Sequence, residues 1–193
     1  MTALWYFGRA TGVAVLALFT LVVVLGIVSR SGRPLPGLPR FAIAAVHRQV
    51  SLSAVVFLAL HIGTLWLDPY AKLRLTDLVV PFLARYRPLW QGLGTLAAEL
   101  VAVLVVTSLA RNRLGPRVWR TVHWVAYLCW PFAVAHAVGT GTDRSSRWLL
   151  LTVAGCVLAV AAAVVWRMTG RAFAADPRPR PVAPPADLAG IRL

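Results

Sequence analysis

The stretch FAIAAVHRQVSLSAVVFLALHIGTLWL, residues 41–67, is an apolar run of membrane length that carries two histidines, His47 and His61. About 17–25 mostly apolar residues are needed to cross the hydrocarbon core of a bilayer as a helix. Backbone groups in lipid must form their hydrogen bonds within the segment, so this run predicts a transmembrane helix. An imidazole inside hydrocarbon is costly unless it has a partner, which makes both histidines candidates for function.

Four further segments have the same character, and the composition agrees with them. The chain has 193 residues, 59% of them hydrophobic, and a mean hydropathy of +0.73, whereas soluble chains average roughly 45–50% apolar residues. The connections are short, which makes neighbouring helices antiparallel. The sequence therefore predicts an all-α integral membrane bundle of five helices, over residues 10–28, 41–67, 93–110, 118–138 and 148–166.

The net charge of +14 comes almost entirely from arginine. A strongly basic chain can bind nucleic acid, but these charges lie in the connections between the predicted spans. Cytoplasmic loops of membrane proteins collect Lys and Arg, and this bias orients the helices. The side that holds the C-terminus carries the larger share. We therefore expect a cell-membrane protein with its N-terminus outside, its C-terminus in the cytoplasm and no nucleic-acid partner.

Two segments outside the spans have their own composition. From Gly170 the sequence (GRAFAADPRPRPVAPPADLAGIRL) is rich in proline and loses its apolar periodicity. This predicts a disordered cytoplasmic tail over residues 170–193, after a membrane domain over residues 1–169. In the longest loop, residues 75–83 are apolar but too short to cross a bilayer, so we expect them to lie along the outer interface.

All four histidines fall inside predicted spans, as two pairs. His47 and His61 are fourteen residues apart, and His123 and His136 are thirteen apart on the fourth span. These spacings correspond to about 21 and 19.5 Å along a helix. One zinc or copper ion cannot collect ligands so far apart, because each must lie about 2 Å from the metal. Two separate two-histidine sites suit haem, whose porphyrin leaves two axial positions for imidazoles.

The helix order predicts which histidines pair. The second and fourth spans run parallel, so His47 should pair with His123 at the inner side and His61 with His136 at the outer side. Thirteen residues make about 3.6 turns, which leaves His136 rotated away from His123 in an ideal helix. A distortion is therefore expected between them, and Pro131 is the candidate cause because proline kinks helices.

The cysteines exclude one haem type, and other readings of the histidines stay open. Cys129 and Cys156 belong to no CxxCH motif, which excludes thioether-attached haem. A histidine can also simply bond a neighbouring helix. A transporter with histidine relays is a further alternative, although transporters tend to show broken midplane helices and repeats. Quinol oxidation at the haems is another, without a visible quinol-site motif.

The pattern H-x13-H on one helix and H-x12-H two helices later resembles the ferric reductase-like transmembrane domain superfamily. That superfamily includes ferric reductases, NADPH oxidases and the haem-binding membrane subunit of the bacterial methionine sulfoxide reductase system. The resemblance covers about residues 4–167. It implies two b-type haems and electron transfer across the membrane. It also implies that Arg9 approaches the outer haem, its propionates or the acceptor there; otherwise Arg9 reaches toward lipid headgroups.

Larger members of the superfamily have an extra N-terminal helix, and the oxidases and ferric reductases continue into a flavin and nicotinamide domain. This sequence shows neither. The resemblance then implies an oxidoreductase electron-transfer subunit with a separate donor, either a flavoprotein or quinol, and an acceptor on the outer side.

Several other residues carry weaker expectations. Glu99, inside the third span, is expected to pair with an arginine such as Arg9; accepting a hydrogen bond from a haem-ligating imidazole and relaying protons are the alternatives. Trp130 is expected to pack in a haem pocket or between the haems. Arg48 and Arg120 lie near the inner haem level, where they would pair with propionates or reflect charge bias alone.

Overall fold

The computed structural model describes residues 2–30, 39–142 and 145–174, and this part of the chain contains seven α-helices and no strand. They are α1 (Ala3–Arg30), α2 (Arg40–Leu67), α3 (Leu75–Val79), α4 (Pro88–Leu109), α5 (Arg111–Trp124), α6 (Ala126–Thr140) and α7 (Arg147–Ala174).

Five segments are long and apolar enough to cross a membrane: Ala3–Ser29, Phe41–Leu67, Pro88–Leu109, Arg111–Thr140 and Arg147–Thr169. The fourth crossing comprises α5 and α6 together. The predicted all-α, five-span membrane bundle is therefore confirmed, and the protein is a multi-pass integral membrane protein.

The bundle consists of two antiparallel helix pairs. α1 packs along α2, and α4 packs along α6, while α1 also contacts α6 and α7. Among the described helices, α2 packs extensively on α1 alone. A small apolar cluster joins the two pairs, made of Val15, Phe19, Ala54, Val101 and Cys129. Away from this cluster, α2 and α6 make few close backbone contacts.

The fourth crossing is interrupted twice. Gly115 has φ +72°, a conformation that glycine adopts without strain, and Pro116 follows it. The second interruption is at Val125, where Val125 N bonds Val122 O and Leu128 N bonds Val125 O, each at 2.9 Å. These i to i−3 bonds are of the 3₁₀ type and change the rotation of the chain.

The expected distortion between His123 and His136 is thus present, but its assignment to Pro131 is wrong. Pro131 lies within α6, which is continuous from Ala126 to Thr140. It removes one backbone bond near the start of that helix. The interruption of the helical hydrogen bonds lies at Val125, six residues before the proline.

The α2–α4 loop, residues 68–87, is anchored to the bundle. The buried Asp77 accepts a hydrogen bond from Arg74 (Nη2 to Oδ1, 2.7 Å), and Thr95 Oγ1 donates to the Asp77 carbonyl at 2.9 Å. Lys72, Phe82 and Arg87 have φ values of 50°, 68° and 45°. Such values are uncommon outside glycine and persist where the surrounding structure imposes them. Leu75 and Val79 are exposed, which suits a segment at the membrane interface.

The predicted C-terminal tail is only partly within the described residues. α7 continues to Ala174, five residues past the point where the tail was expected to begin. Residues 175–193, which carry the proline-rich sequence, lie outside the described residues.

Candidate haem sites

His61 on α2 and His136 on α6 face each other across the gap between the helix pairs. Their ring centroids are 6.4 Å apart, with the ring planes at 84°. An iron atom bound between two imidazoles, at about 2 Å from each nitrogen, needs centroids roughly 6 Å apart. The structure therefore brings together the predicted outer pair at the separation that one metal centre requires.

Both outer histidines are held by backbone carbonyls. His61 Nδ1 lies 2.7 Å from the carbonyl oxygen of Gly8, and His136 Nδ1 lies 2.9 Å from that of Trp90. A carbonyl can only accept, so each Nδ1 carries the hydrogen and donates it. The Nε2 atom of each ring is then the unprotonated nitrogen that a metal binds. Such bonds also orient a ligating imidazole and raise its basicity.

A glycine lies under each of these rings, four residues after the accepting carbonyl. A Cβ atom at Gly12 would lie 2.7 Å from Cε1 of His61, and one at Gly94 would lie 2.6 Å from Cε1 of His136. Real Cβ atoms essentially never come so close. The rings of His61 and His136 can therefore occupy these positions only because Gly12 on α1 and Gly94 on α4 have no side chain.

The inner histidine of α2 repeats this arrangement. His47 lies over Gly26: a Cβ atom added at Gly26 would be 3.6 Å from Cε1 of His47. The carbonyl of Val22 faces the same ring. The His47 Nδ1 atom is buried and does not reach full hydrogen-bond geometry. Val22 and Gly26 follow Gly8 and Gly12 by fourteen residues, the separation of the two histidines. This correspondence is what two antiparallel helices in regular contact produce.

His123 is positioned differently, because it lies on α5 and not on α6. Its ring stacks on Trp119 of the preceding turn, with centroids 4.8 Å apart and planes at 22°. Within the described contacts, the rings of the outer pair face each other, whereas no ring contact joins His47 to His123. The pairing of these two residues stays a prediction.

The donor set and the packing fit haem at the outer level. Two imidazoles with fixed tautomers and ring centroids 6.4 Å apart suit the two axial positions of one haem iron. No group of three or more His, Cys, Asp or Glu side chains that could hold a metal ion occurs among the described residues. Haem needs only two protein ligands, because the porphyrin supplies four nitrogens.

Arg9 lies at the level of the outer pair. It follows Gly8, the residue that accepts the hydrogen bond from His61, and its guanidinium lies 4.3 Å from the centroid of the Trp5 ring. This cation–π contact fixes the charge beside α1. The predicted role of Arg9 toward a haem propionate or acceptor stays a prediction.

Arg87 is a residue that the sequence reading passed over. It precedes Pro88 at the start of α4, in a left-handed conformation, and its guanidinium donates to the carbonyl of Gly139. Gly139 is three residues beyond His136, and the Trp90 ring lies against it. Arg87 therefore connects the outer end of α4 to the helix that carries His136. An Arg-Pro pair directly before an apolar span was the available signal.

The weaker candidates occupy distinct places. Trp130 Nε1 donates to Thr20 Oγ1 at 2.9 Å, so Trp130 lies between α6 and α1 beside the mid-depth cluster. Glu99 is half-buried on α4, and no described ion pair joins it to Arg9. Arg120 is exposed, and its Nε donates to the carbonyl of Pro116 on its own helix.

Comparison with known proteins gives one match. Residues 11–140 match the family described as ferric reductase like transmembrane component. The matched segment contains all four histidines, their three glycine contacts and the mid-depth cluster. No curated protein and no solved structure matches the chain significantly.

Proposed function

Because this chain belongs to the ferric reductase-like transmembrane family, we propose that it is a di-haem b-type cytochrome that carries electrons across the cell membrane. The observation that carries the proposal is the outer pair. His61 and His136 face each other with ring centroids 6.4 Å apart, and both donate Nδ1–H to backbone carbonyls. Packing alone does not require two imidazoles from different helices to lie this close with both Nδ1 atoms bonded to carbonyls.

The protein's own residues would hold and orient two haems. His61 and His136 would bind the outer one, and His47 and His123 the inner one. When bound, each haem supplies an iron that alternates between the ferric and ferrous states by one electron. The carbonyls of Gly8 and Trp90 hold the hydrogen on Nδ1 and so keep each Nε2 unprotonated. The apolar cluster at mid-depth excludes water between the two levels.

Electrons would enter at the cytoplasmic side and leave at the outer side. The two histidine levels on α2 are about 21 Å apart, a large part of the bilayer core of about 30 Å. A separate donor, a flavoprotein or quinol, would reduce the inner level, and an outer-side acceptor would oxidise the outer level. Arg9 and Arg87 place positive charge beside the outer pair, where carboxylates such as propionates bind well.

The haem content of the purified protein tests the proposal. We expect two non-covalent haems per chain and a b-type reduced-minus-oxidised spectrum. His47→Ala and His61→Ala should each remove one haem and largely retain the other. Gln49→Ala, an exposed position on the same helix, is the matched control and should keep both. Protein that stays colourless when made with ample porphyrin would contradict the proposal.

One observation favours quinol as the donor. A cavity of about 310 Å³ lies between α1, α6 and α7, lined by apolar side chains together with Trp124, Tyr127, Trp130 and Arg167. Apolar pockets with a few polar groups are typical ligand sites. Haem reduction by quinol that Tyr127→Ala abolishes would support this alternative. Quinol that leaves the haems oxidised would exclude it.

A further inference from the structure

The short helix α5 carries a concentrated positive charge at one end of the bundle. Its fourteen residues include no acidic side chain, and no Asp or Glu occurs between Glu99 and Asp143. Four arginines are exposed on it, and we call them the basic face of α5: Arg111, Arg113, Arg117 and Arg120. A surface of one charge sign attracts partners of the opposite sign.

The shape of this face distinguishes it from a simple row of membrane-orienting charges. Arg117, Arg120, Thr121 and Trp124 line an open cavity of about 470 Å³. Trp124 is 53% exposed within this polar setting. Arginine and tryptophan are enriched at the centres of protein–protein interfaces, whereas a lipid headgroup needs only a point charge. A concave surface of this chemistry suits a folded partner with acidic side chains.

The basic face is also adjacent to the inner histidine. Trp119, one turn before His123, stacks on the His123 ring at 4.8 Å, and Trp124 follows His123 directly in the chain. A protein bound to this face would therefore contact the helix that carries His123, next to the residues that flank it. The interruption at Val125 ends α5 just after His123, and the one at Gly115 divides α5 into two short segments that both carry exposed arginines.

We propose that the basic face of α5 is the docking site of a small acidic electron-carrier protein. This inference rests on the proposed function, because it assigns the donor to the inner haem. The reduced carrier would lose one electron, the ferric iron of the inner haem, which His47 and His123 would hold, would gain it, and no proton or chemical group would be transferred. Complementary charge speeds such encounters, and small, transient interfaces are usual for electron-transfer partners.

The test uses the full protein in nanodiscs of neutral phosphatidylcholine, with reduced flavodoxin, an acidic flavin protein, as the probe. Haem reduction is followed by stopped flow at low and high ionic strength. For the wild type, we expect the rate to fall about tenfold or more as salt increases. The double variant Arg117→Glu/Arg120→Glu should be reduced about tenfold more slowly at low salt and should lose the salt dependence. Arg117→Gln/Arg120→Gln should lie between them.

Arg85→Glu is the matched control, because it makes the same charge change at an exposed arginine of the α2–α4 loop; its rate should be unchanged. Binding of oxidised flavodoxin, measured by surface plasmon resonance, gives a readout independent of electron transfer. It should weaken in the double variant and stay the same in the control.

Reduction by dithionite separates the two hypotheses. If dithionite reduces two haems in every variant while flavodoxin acts equally on all of them, the docking site is wrong and the proposed function stands. If binding appears only in nanodiscs with anionic lipid, the face is a membrane contact and the docking inference is overturned. If flavodoxin binds the basic face but dithionite reveals no haem, the proposed function fails instead.

Discussion

At the scale of single residues, the rings of His61 and His136 fit in place because the neighbouring helix has a glycine, and so no side chain, at the point of contact. Gly12 and Gly94 allow the rings of His61 and His136 to lie against α1 and α4, within bonding distance of a carbonyl four residues earlier. A methyl group at either glycine would occupy the place of the ring. The ligand geometry is therefore set by pairs of residues, a histidine and its glycine.

Gly94→Ala should selectively disturb the outer haem, because His136 cannot keep both its place and its bond to Trp90. We expect loss of the outer haem or a clear change in its electron paramagnetic resonance signal, with the inner haem retained. Crowding of a packed site typically destabilises by about 1–3 kcal/mol. Gly155→Ala on α7 is the control, since nothing lies within 4 Å of an added Cβ there. Unchanged outer-haem signals in Gly94→Ala would show that the ring does not need this space.

The histidines could be predicted from sequence, but their supports could not. Four imidazoles in apolar spans stand out by their chemistry, and their spacing predicted the outer pair that the structure brings together. Glycine carries no functional group, so Gly12, Gly26 and Gly94 gave no signal alone. The fourteen-residue interval from Gly12 to Gly26 equals that from His47 to His61, but it acquires meaning only once α1 is known to pack along α2.

At the scale of elements, the fourth crossing is two helices that meet at Val125, and Pro131 is not the cause. Pro131→Ala should therefore leave the offset between His123 and His136 unchanged. We expect the variant to bind as much haem per chain as the wild type, measured by the pyridine haemochrome method. Loss of one haem in Pro131→Ala would restore the proline as the source of the distortion.

Sequence reading placed all five crossings but missed this interruption, for a physical reason. Hydropathy reports composition, which is continuous through residues 118–138, and not backbone direction. The 3₁₀ bonds around Val125 involve no glycine or proline, so nothing local indicates them. At Gly115-Pro116 the residue types did carry the signal, because both disfavour a regular helix.

The α2–α4 loop should respond to acid. Hydrogen bonds from Arg74 lower the pKa of Asp77 below its ordinary value, against the opposing effect of burial. A depressed pKa stabilises the fold above the unfolded value of about 3.9, and this contribution is lost as the pH falls through the folded pKa. Thermal unfolding in detergent should therefore show a lower Tm below about pH 4.

Asp77→Asn should reduce the Tm at neutral pH, and its difference from the wild type should shrink in acid. The asparagine keeps the shape of the side chain but not its charge, so it isolates the electrostatic contribution. An equal Tm difference at all pH values would mean that Asp77 acts through packing and its backbone alone.

At the scale of the whole molecule, the orientation in the membrane is the prediction to be measured. In a Cys129→Ala/Cys156→Ala background, a cysteine at Lys72 should react with an impermeant maleimide in intact cells. A cysteine at Arg113 should react only after the membrane is opened. The reverse pattern would place the N-terminus in the cytoplasm and would invert the direction of electron flow proposed above.

The isolation of α2 affects how long the protein survives. Because α2 packs extensively on α1 alone among the described helices, ligated iron would join the two halves of the bundle, and the polypeptide without it would be loosely assembled and open to proteases. Cellular amounts should then follow porphyrin supply even at constant transcription, so that the cofactor becomes a condition of persistence as well as of redox chemistry.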